Sequence, residues 1–182
     1  MTGPVETARR RNRLSLAGLG VFVVVLVGMW VYIYGFADTT NPNRLPDQAW
    51  ANRAEQICKS YSTQINALPK APEFASIKPK SEALRQRSVV GQDVTNLLTD
   101  MVRDLRAAPS PADADSRHGV DGWLADYDIY LGDRQRQMAA WAAGQDPSFA
   151  ETAVNGKPIS QGMDDFSTAN GMSDCQVPQD LG

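Results

Sequence analysis

This 182-residue chain has few side chains that could take part in chemistry: two cysteines, one histidine and several dispersed aspartates. Cys58 and Cys175 lie far apart and form no CxxC pair, so a thioredoxin-type redox centre is not indicated. They could form one intramolecular disulfide, pair with a second chain or remain free thiols. His118 follows Ser116 and Arg117 in a predicted loop, where we interpret it as an exposed residue rather than part of a catalytic relay.

The acidic residues give only weak signs of a metal or acid-base site. Asp113 and Asp115 resemble the start of a calcium-binding loop, but Arg117 occupies the place of the next oxygen ligand. Asp126 and Asp133 share a predicted helix face about 10 Å apart, which is too far to share an ion. Phosphate-binding and hydrolase motifs are missing from the sequence. We therefore predict no cofactor, no metal and no catalytic residue.

Aromatic side chains are the remaining candidates for a binding site. Most of them are expected in the core, because each buries a large apolar area. The alternative is that some line a groove for a hydrophobic ligand or for the helix of a partner. The candidate groove residues are Trp50, Tyr61, Trp123, Tyr127, Tyr130 and Trp141.

Helical spacing of apolar residues predicts the elements that position these side chains. We expect an all-α domain, an antiparallel bundle of three long helices and one short one. Asp47 is the predicted N-cap of the first helix, and Gly91 is a possible kink in the second. The sequence predicts a turn at Asn155-Gly156 and no strand of any length. The predicted helices cover 47–68, 81–108, 120–143 and 159–169, with a loop over 110–119.

A hydrophobic run precedes this domain. Leu14–Phe36 holds no charged residue and would span about 34 Å as a helix, enough to cross a bilayer. Four arginines lie in the thirteen residues before it, which favours a cytoplasmic N-terminus and an exported C-terminal domain. Gly35-Phe36-Ala37 could pass as a cleavage site, but the run is too long for a signal peptide. We therefore expect an uncleaved, single-pass signal anchor in the cytoplasmic membrane.

The predicted domain organisation follows from this span. Residues 1–13 form a cytoplasmic basic tail, residues 14–36 the transmembrane helix, residues 37–46 a short linker and residues 47–182 the extracytoplasmic helical domain. After residue 13 the chain carries twenty acidic and fourteen basic side chains. An acidic domain repels phosphate, so we predict that nucleic acid is not a partner.

The chain resembles a group of membrane-anchored, exported proteins of actinobacterial type. Four features carry this resemblance: the arginine-preceded span, the stretch WANRAEQIC at Trp50–Cys58, the helix ending WAAG at Trp141–Gly144, and the closing FSTANGMSDC at Phe166–Cys175. The resemblance implies a helical domain outside the membrane and a disulfide between Cys58 and Cys175. It brings no activity, cofactor or catalytic residue with it.

Three functions are compatible with these features. We expect first a tethered helical interaction module on the outer face of the membrane, an accessory subunit of a membrane or envelope assembly. Its partners would be the lipid bilayer and another membrane or envelope protein. The second is a ligand-binding or sensing domain that uses the aromatic groove. The least favoured is an enzyme that uses carboxylates, for which the available acids are Asp126, Asp128, Asp133, Asp164 and Asp165.

Overall fold

The computed structural model describes residues 4–35 and 41–181; the side chains of residues 4–19, 71 and 72 lie outside that description. The chain divides into two compact units, Met1–Thr40 and Asn41–Gly182. The first unit contains one helix, α1, over Pro4–Gly35. From residue 20 onward all its described side chains are exposed, and Trp30 stacks on Tyr34 with ring centroids 5.0 Å apart.

The predicted transmembrane helix is not found among the described residues, where no helix is long and apolar enough to cross a membrane. The prediction covered Leu14–Phe36, and part of that range falls outside the described residues. The side chains of residues 14–19 are not described, and neither are Phe36 and the first four residues of the predicted linker.

The second unit is mostly helical, as the apolar spacing predicts. It contains three long helices and one short one, with a small hairpin and two 3₁₀ turns between them. The elements are α2 (Gln48–Ala67), η1 (Ala71–Phe74), α3 (Lys80–Ala107), α4 (Ala114–Ala142), β1 (Ala153–Val154), β2 (Lys157–Pro158), α5 (Ile159–Ala169) and η2 (Ser173–Cys175).

Helices α3 and α4 form the most extensive pair in this unit. Near the start of α3, the backbone carbonyl of Gly91 accepts a hydrogen bond from Arg134 in the second half of α4. Near the end of α3, Arg106 forms an ion pair of 2.6 Å with Asp128, in the first half of α4. The two helices therefore run antiparallel. Helix α2 packs on α3, and α5 packs on α4.

The beginning of α4 is the largest error in the predicted helix boundaries. The helix begins at Ala114, six residues before the predicted start at Val120. Asp113, which resembled a calcium ligand, is instead its N-cap, and its carboxylate accepts a hydrogen bond of 2.7 Å from the backbone N–H of Ser116. His118 therefore lies on a helix and not in a loop.

Helix α3 is not broken at Gly91, since it runs without interruption from Lys80 to Ala107. A Cβ atom at this position would lie 2.2 Å from the sulfur of Met138 on α4. The glycine therefore serves the close approach of the two helices. The turn at Asn155-Gly156 is confirmed, with positive φ angles of 52° and 78°. It joins the two short strands of the hairpin, which the sequence did not predict.

The globular unit begins before the predicted domain boundary at Asp47. Leu45 is buried, and its backbone N–H donates a 2.7 Å hydrogen bond to the side-chain oxygen of Asn170. The side-chain amide of Asn170 donates in turn to the backbone carbonyl of Asn43, at 2.8 Å. Asp47 caps α2 as predicted, accepting a hydrogen bond of 3.0 Å from the backbone N–H of Trp50.

Cys58 and Cys175 form a disulfide, which confirms the intramolecular alternative. Both residues are buried, and the bridge joins the middle of α2 to η2. The Tyr127 hydroxyl donates a hydrogen bond to the backbone carbonyl of Cys175. The disulfide and this hydrogen bond fix the start of the C-terminal tail, which we define as residues 171–181.

A buried ion pair fixes the other end of the C-terminal tail. Arg134 is fully buried, and its guanidinium donates to both carboxylate oxygens of Asp180 at 2.7 and 2.6 Å. It also donates a hydrogen bond of 3.1 Å to the hydroxyl of Thr95 on α3. Next to this pair, Leu181 packs with Leu84, Met138 and Trp141 in a second small core.

We expect Cys58→Ser to lower the melting temperature by several degrees under oxidising conditions. The disulfide links residues 117 positions apart, and loss of a native bridge typically costs about 2–5 kcal/mol of unfolding free energy. The measurement is thermal unfolding followed by circular dichroism. Adding a reductant should bring the wild-type protein down to the melting temperature of the variant. Identical melting curves without reductant would show that the bridge contributes nothing.

Arg134→Ala should lower the unfolding free energy by about 3 kcal/mol, because it leaves the Asp180 carboxylate and the Thr95 hydroxyl without their buried partner. The matched control is Arg103→Ala, which removes exposed ion pairs with Asp100 and Asp104 and should lower the stability far less, because solvent screens them. Urea unfolding of both variants measures the difference. Equal losses would contradict a special role for the buried pair.

Candidate functional site

The globular unit carries a groove of about 580 Å³ beside the first half of α4. Its other walls are the segment Pro42–Pro46, the hairpin and α5. We call it the α4–α5 groove. Its volume lies within the range of about 300–1,000 Å³ that is usual for binding sites.

Stacked aromatic rings form the base of the α4–α5 groove. Trp123 and Phe166 both line it, and their ring centroids lie 5.4 Å apart in a stacked arrangement. Behind them, Trp50 and Tyr127 pack edge-on against Trp123, with centroids 6.5 and 5.1 Å away. The base is therefore rigid, because each ring is fixed by neighbours in the main core.

Three glycines, Gly119, Gly122 and Gly162, line the α4–α5 groove. A Cβ atom at Gly122 on α4 or at Gly162 on α5 would meet no other atom within 4 Å. At Gly119 a Cβ atom would come within 3.1 Å of the Leu45 side chain. Gly119 therefore lets the segment Pro42–Pro46 pack against α4, while Gly122 and Gly162 border open space in the groove.

Charges of both signs surround the groove. Its lining includes the basic side chains of Arg44 and Lys157, and none of the ion pairs found among the described residues uses either of them. Three acidic side chains of the lining, Asp115, Asp126 and Asp165, also form no ion pair with any described residue. Burial raises the pKa of Asp126 above its ordinary value. An occupant could therefore meet donors, acceptors and charges of either sign at the edges of an aromatic surface.

The six predicted groove residues do not line one groove. Trp50, Trp123, Tyr127 and Tyr130 are buried in the main core, and Trp141 is buried in the second one. Tyr61 is half-buried, and its hydroxyl donates a hydrogen bond to Asp104. Of the six, Trp123 contributes to the α4–α5 groove and Trp141 to a separate cavity. Groove residues that the prediction missed include Arg44, Gly122, Lys157 and Gly162.

Of the five acidic residues considered for catalysis, Asp126 and Asp165 both line the α4–α5 groove, and the other three do not. Asp133 is buried and holds a loop, because its carboxylate accepts hydrogen bonds of 2.6 and 3.1 Å from the backbone and side chain of Thr152. Asp164 accepts a hydrogen bond of 2.9 Å from the backbone N–H of Val177, and burial raises its pKa. Within the described residues, no cluster of three or more histidine, cysteine or acidic side chains could hold a metal ion.

No known protein family matches the chain, and it matches neither a curated protein nor a solved structure. The resemblance to membrane-anchored exported proteins therefore stays a prediction.

Asp126→Asn should stabilise the protein at neutral pH but not in acid. Burial raises the pKa of Asp126, so the folded state resists its ionisation, and the contribution of Asp126 to stability falls as the pH rises above the ordinary aspartate pKa of 3.8. Asparagine does not ionise, so the variant does not lose this stability as the pH rises. The measurement is the melting temperature between pH 3 and pH 7. Asp121→Asn, an exposed position on the same helix, is the control and should follow the wild-type profile.

Proposed function

We propose that this protein is a membrane-tethered, extracytoplasmic interaction module, an accessory subunit of a membrane or envelope assembly. In this proposal the α4–α5 groove binds an extended segment of another membrane or envelope protein. The observation that carries the proposal is the groove itself, whose lining combines the stacked rings of Trp123 and Phe166 with open space beside Gly122 and Gly162 and with charges of both signs.

The composition of the groove supports a polypeptide as its occupant. A fixed aromatic base suits an apolar anchor side chain, the kind of contact that supplies most of the affinity at protein interfaces. Charges such as Arg44 and Asp165 suit the mixed polar groups that flank such an anchor in a peptide. Asp133 and Asp164, by contrast, accept backbone hydrogen bonds that hold a loop and the C-terminal tail, which argues for a structural role of these two carboxylates.

The sequence supports the tether and its direction. The arginine cluster before residue 14 and the uncharged run at Leu14–Phe36 favour an uncleaved anchor with its N-terminus in the cytoplasm. The disulfide between Cys58 and Cys175 suits an oxidising compartment outside the cytoplasm. The proposal therefore includes a globular unit on the outer side of the cytoplasmic membrane.

Site-specific photocrosslinking in native membranes tests the docking groove. A benzophenone amino acid at position 122 should give a discrete adduct with one other protein, because a side chain there points into open space in the groove. The matched control is the same amino acid at position 96, an exposed position on α3 outside the groove. Mass spectrometry identifies the adducts. The proposal fails if the two positions give the same adducts or if position 122 captures only a second copy of this chain.

The same cells test the location of the globular unit. After crosslinking, protease added outside intact spheroplasts should degrade the adduct, while a cytoplasmic marker protein survives. An adduct that resists the protease until the membrane is opened would place the globular unit in the cytoplasm and overturn the proposed orientation.

A further inference from the structure

A second cavity, of about 440 Å³, is separate from the α4–α5 groove. It lies where the end of α2, the turn η1, the first half of α3 and the C-terminal tail meet. We call it the tail cavity. Apolar side chains form most of its walls, and they include Ile65, Leu68, Phe74, Val90, Val94 and Trp141.

Two cations lie among these apolar side chains. Lys70 and Arg87 both line the tail cavity, and neither forms an ion pair with any residue that the structure describes. The Arg87 guanidinium lies over the ring of Trp141, 4.1 Å from its centroid, so that its position is fixed against the cavity wall. The Lys70 ammonium makes one long contact of 3.4 Å, to the backbone carbonyl of Ile65.

The one carboxylate in the lining does not neutralise these cations. Asp180 lines the tail cavity, but both of its oxygens accept hydrogen bonds from the buried guanidinium of Arg134. The pair is neutral as a unit, so Lys70 and Arg87 leave the cavity with a net positive charge. Neighbouring cations along the chain add little to this charge, because Lys80 pairs with Asp146 at 2.7 Å and Arg85 pairs with Glu82 at 2.6 Å.

We propose that the tail cavity binds a single-chain anionic amphiphile of the fatty-acid type. Its carboxylate would pair with Lys70 and Arg87, and its acyl chain would lie along the apolar walls. The cavity volume is near the lower end of the usual range for small-molecule sites, which suits one acyl chain better than a two-chain lipid. This site is independent of the proposed docking groove, since the two share no lining residue.

Photolabelling of the full chain in nanodiscs of neutral phosphatidylcholine tests this proposal. The probe is a palmitic acid that carries a diazirine in its chain, and labelled peptides are mapped by mass spectrometry. We expect labelling within residues 65–94, reduced about tenfold in the double variant Lys70→Gln, Arg87→Gln. The variant Arg87→Lys keeps the positive charge and should retain most of the wild-type labelling.

The matched control is Arg85→Gln. Arg85 lies on the same helix but is exposed, pairs with Glu82 at 2.6 Å and does not line the cavity, so labelling should stay at the wild-type level.

A neutral probe, the corresponding fatty alcohol, tests the wild-type protein without any substitution and should label these peptides about tenfold less. Equal labelling by acid and alcohol, or labelling that misses residues 65–94, would overturn the proposal. A double variant that folds, by its melting curve, and labels like wild type would do the same.

Discussion

Arg134 connects the α3–α4 pair to the C-terminal tail. Within the described residues, no other buried charge joins these parts of the globular unit. Its guanidinium, fully buried on α4, donates to Thr95 on α3 and to Asp180 in the C-terminal tail. A buried cation is costly unless it is paired and its donors are satisfied, so the three elements depend on one another. Arg134 also neutralises the Asp180 carboxylate, which lines the tail cavity. The packing of the core therefore affects the charge of a candidate site.

The C-terminal tail has little secondary structure of its own, and side chains of the bundle hold it at several points. The disulfide fixes Cys175, the carboxylate of Asp164 accepts the Val177 N–H at 2.9 Å, and Arg134 binds Asp180. Because the tail has few backbone hydrogen bonds of its own, its contacts with the core hold it in place. Since Pro178 to Asp180 also line the tail cavity, that cavity exists only while these contacts persist.

The sequence predicted the helical architecture because apolar periodicity is a local signal. The buried side of α2, with Trp50, Ala54, Cys58 and Ile65, follows the expected helical spacing. The start of α4 was missed because glycines and charged residues dilute the same signal there, and because the capping role of Asp113 depends on its backbone geometry. The polar core positions Asp133, Arg134 and Gln137 were missed for another reason. Each is buried because of a partner distant in sequence, which periodicity cannot indicate.

The two candidate sites lie at opposite ends of the same helix. Trp123 lines the groove and Trp141 lines the tail cavity, eighteen residues or about 27 Å apart along α4. Each site also has one wall without regular structure, and a side chain from the bundle holds that wall. Asn170 holds the segment Pro42–Pro46 at the groove, and Arg134 holds the tail at the cavity. These two contacts share no atom, but α4 is not the only element that connects the two sites. Helix α5 forms a wall of the groove and also holds the tail, because Asp164 accepts a hydrogen bond from the Val177 N–H, so any coupling between the sites can pass through either helix.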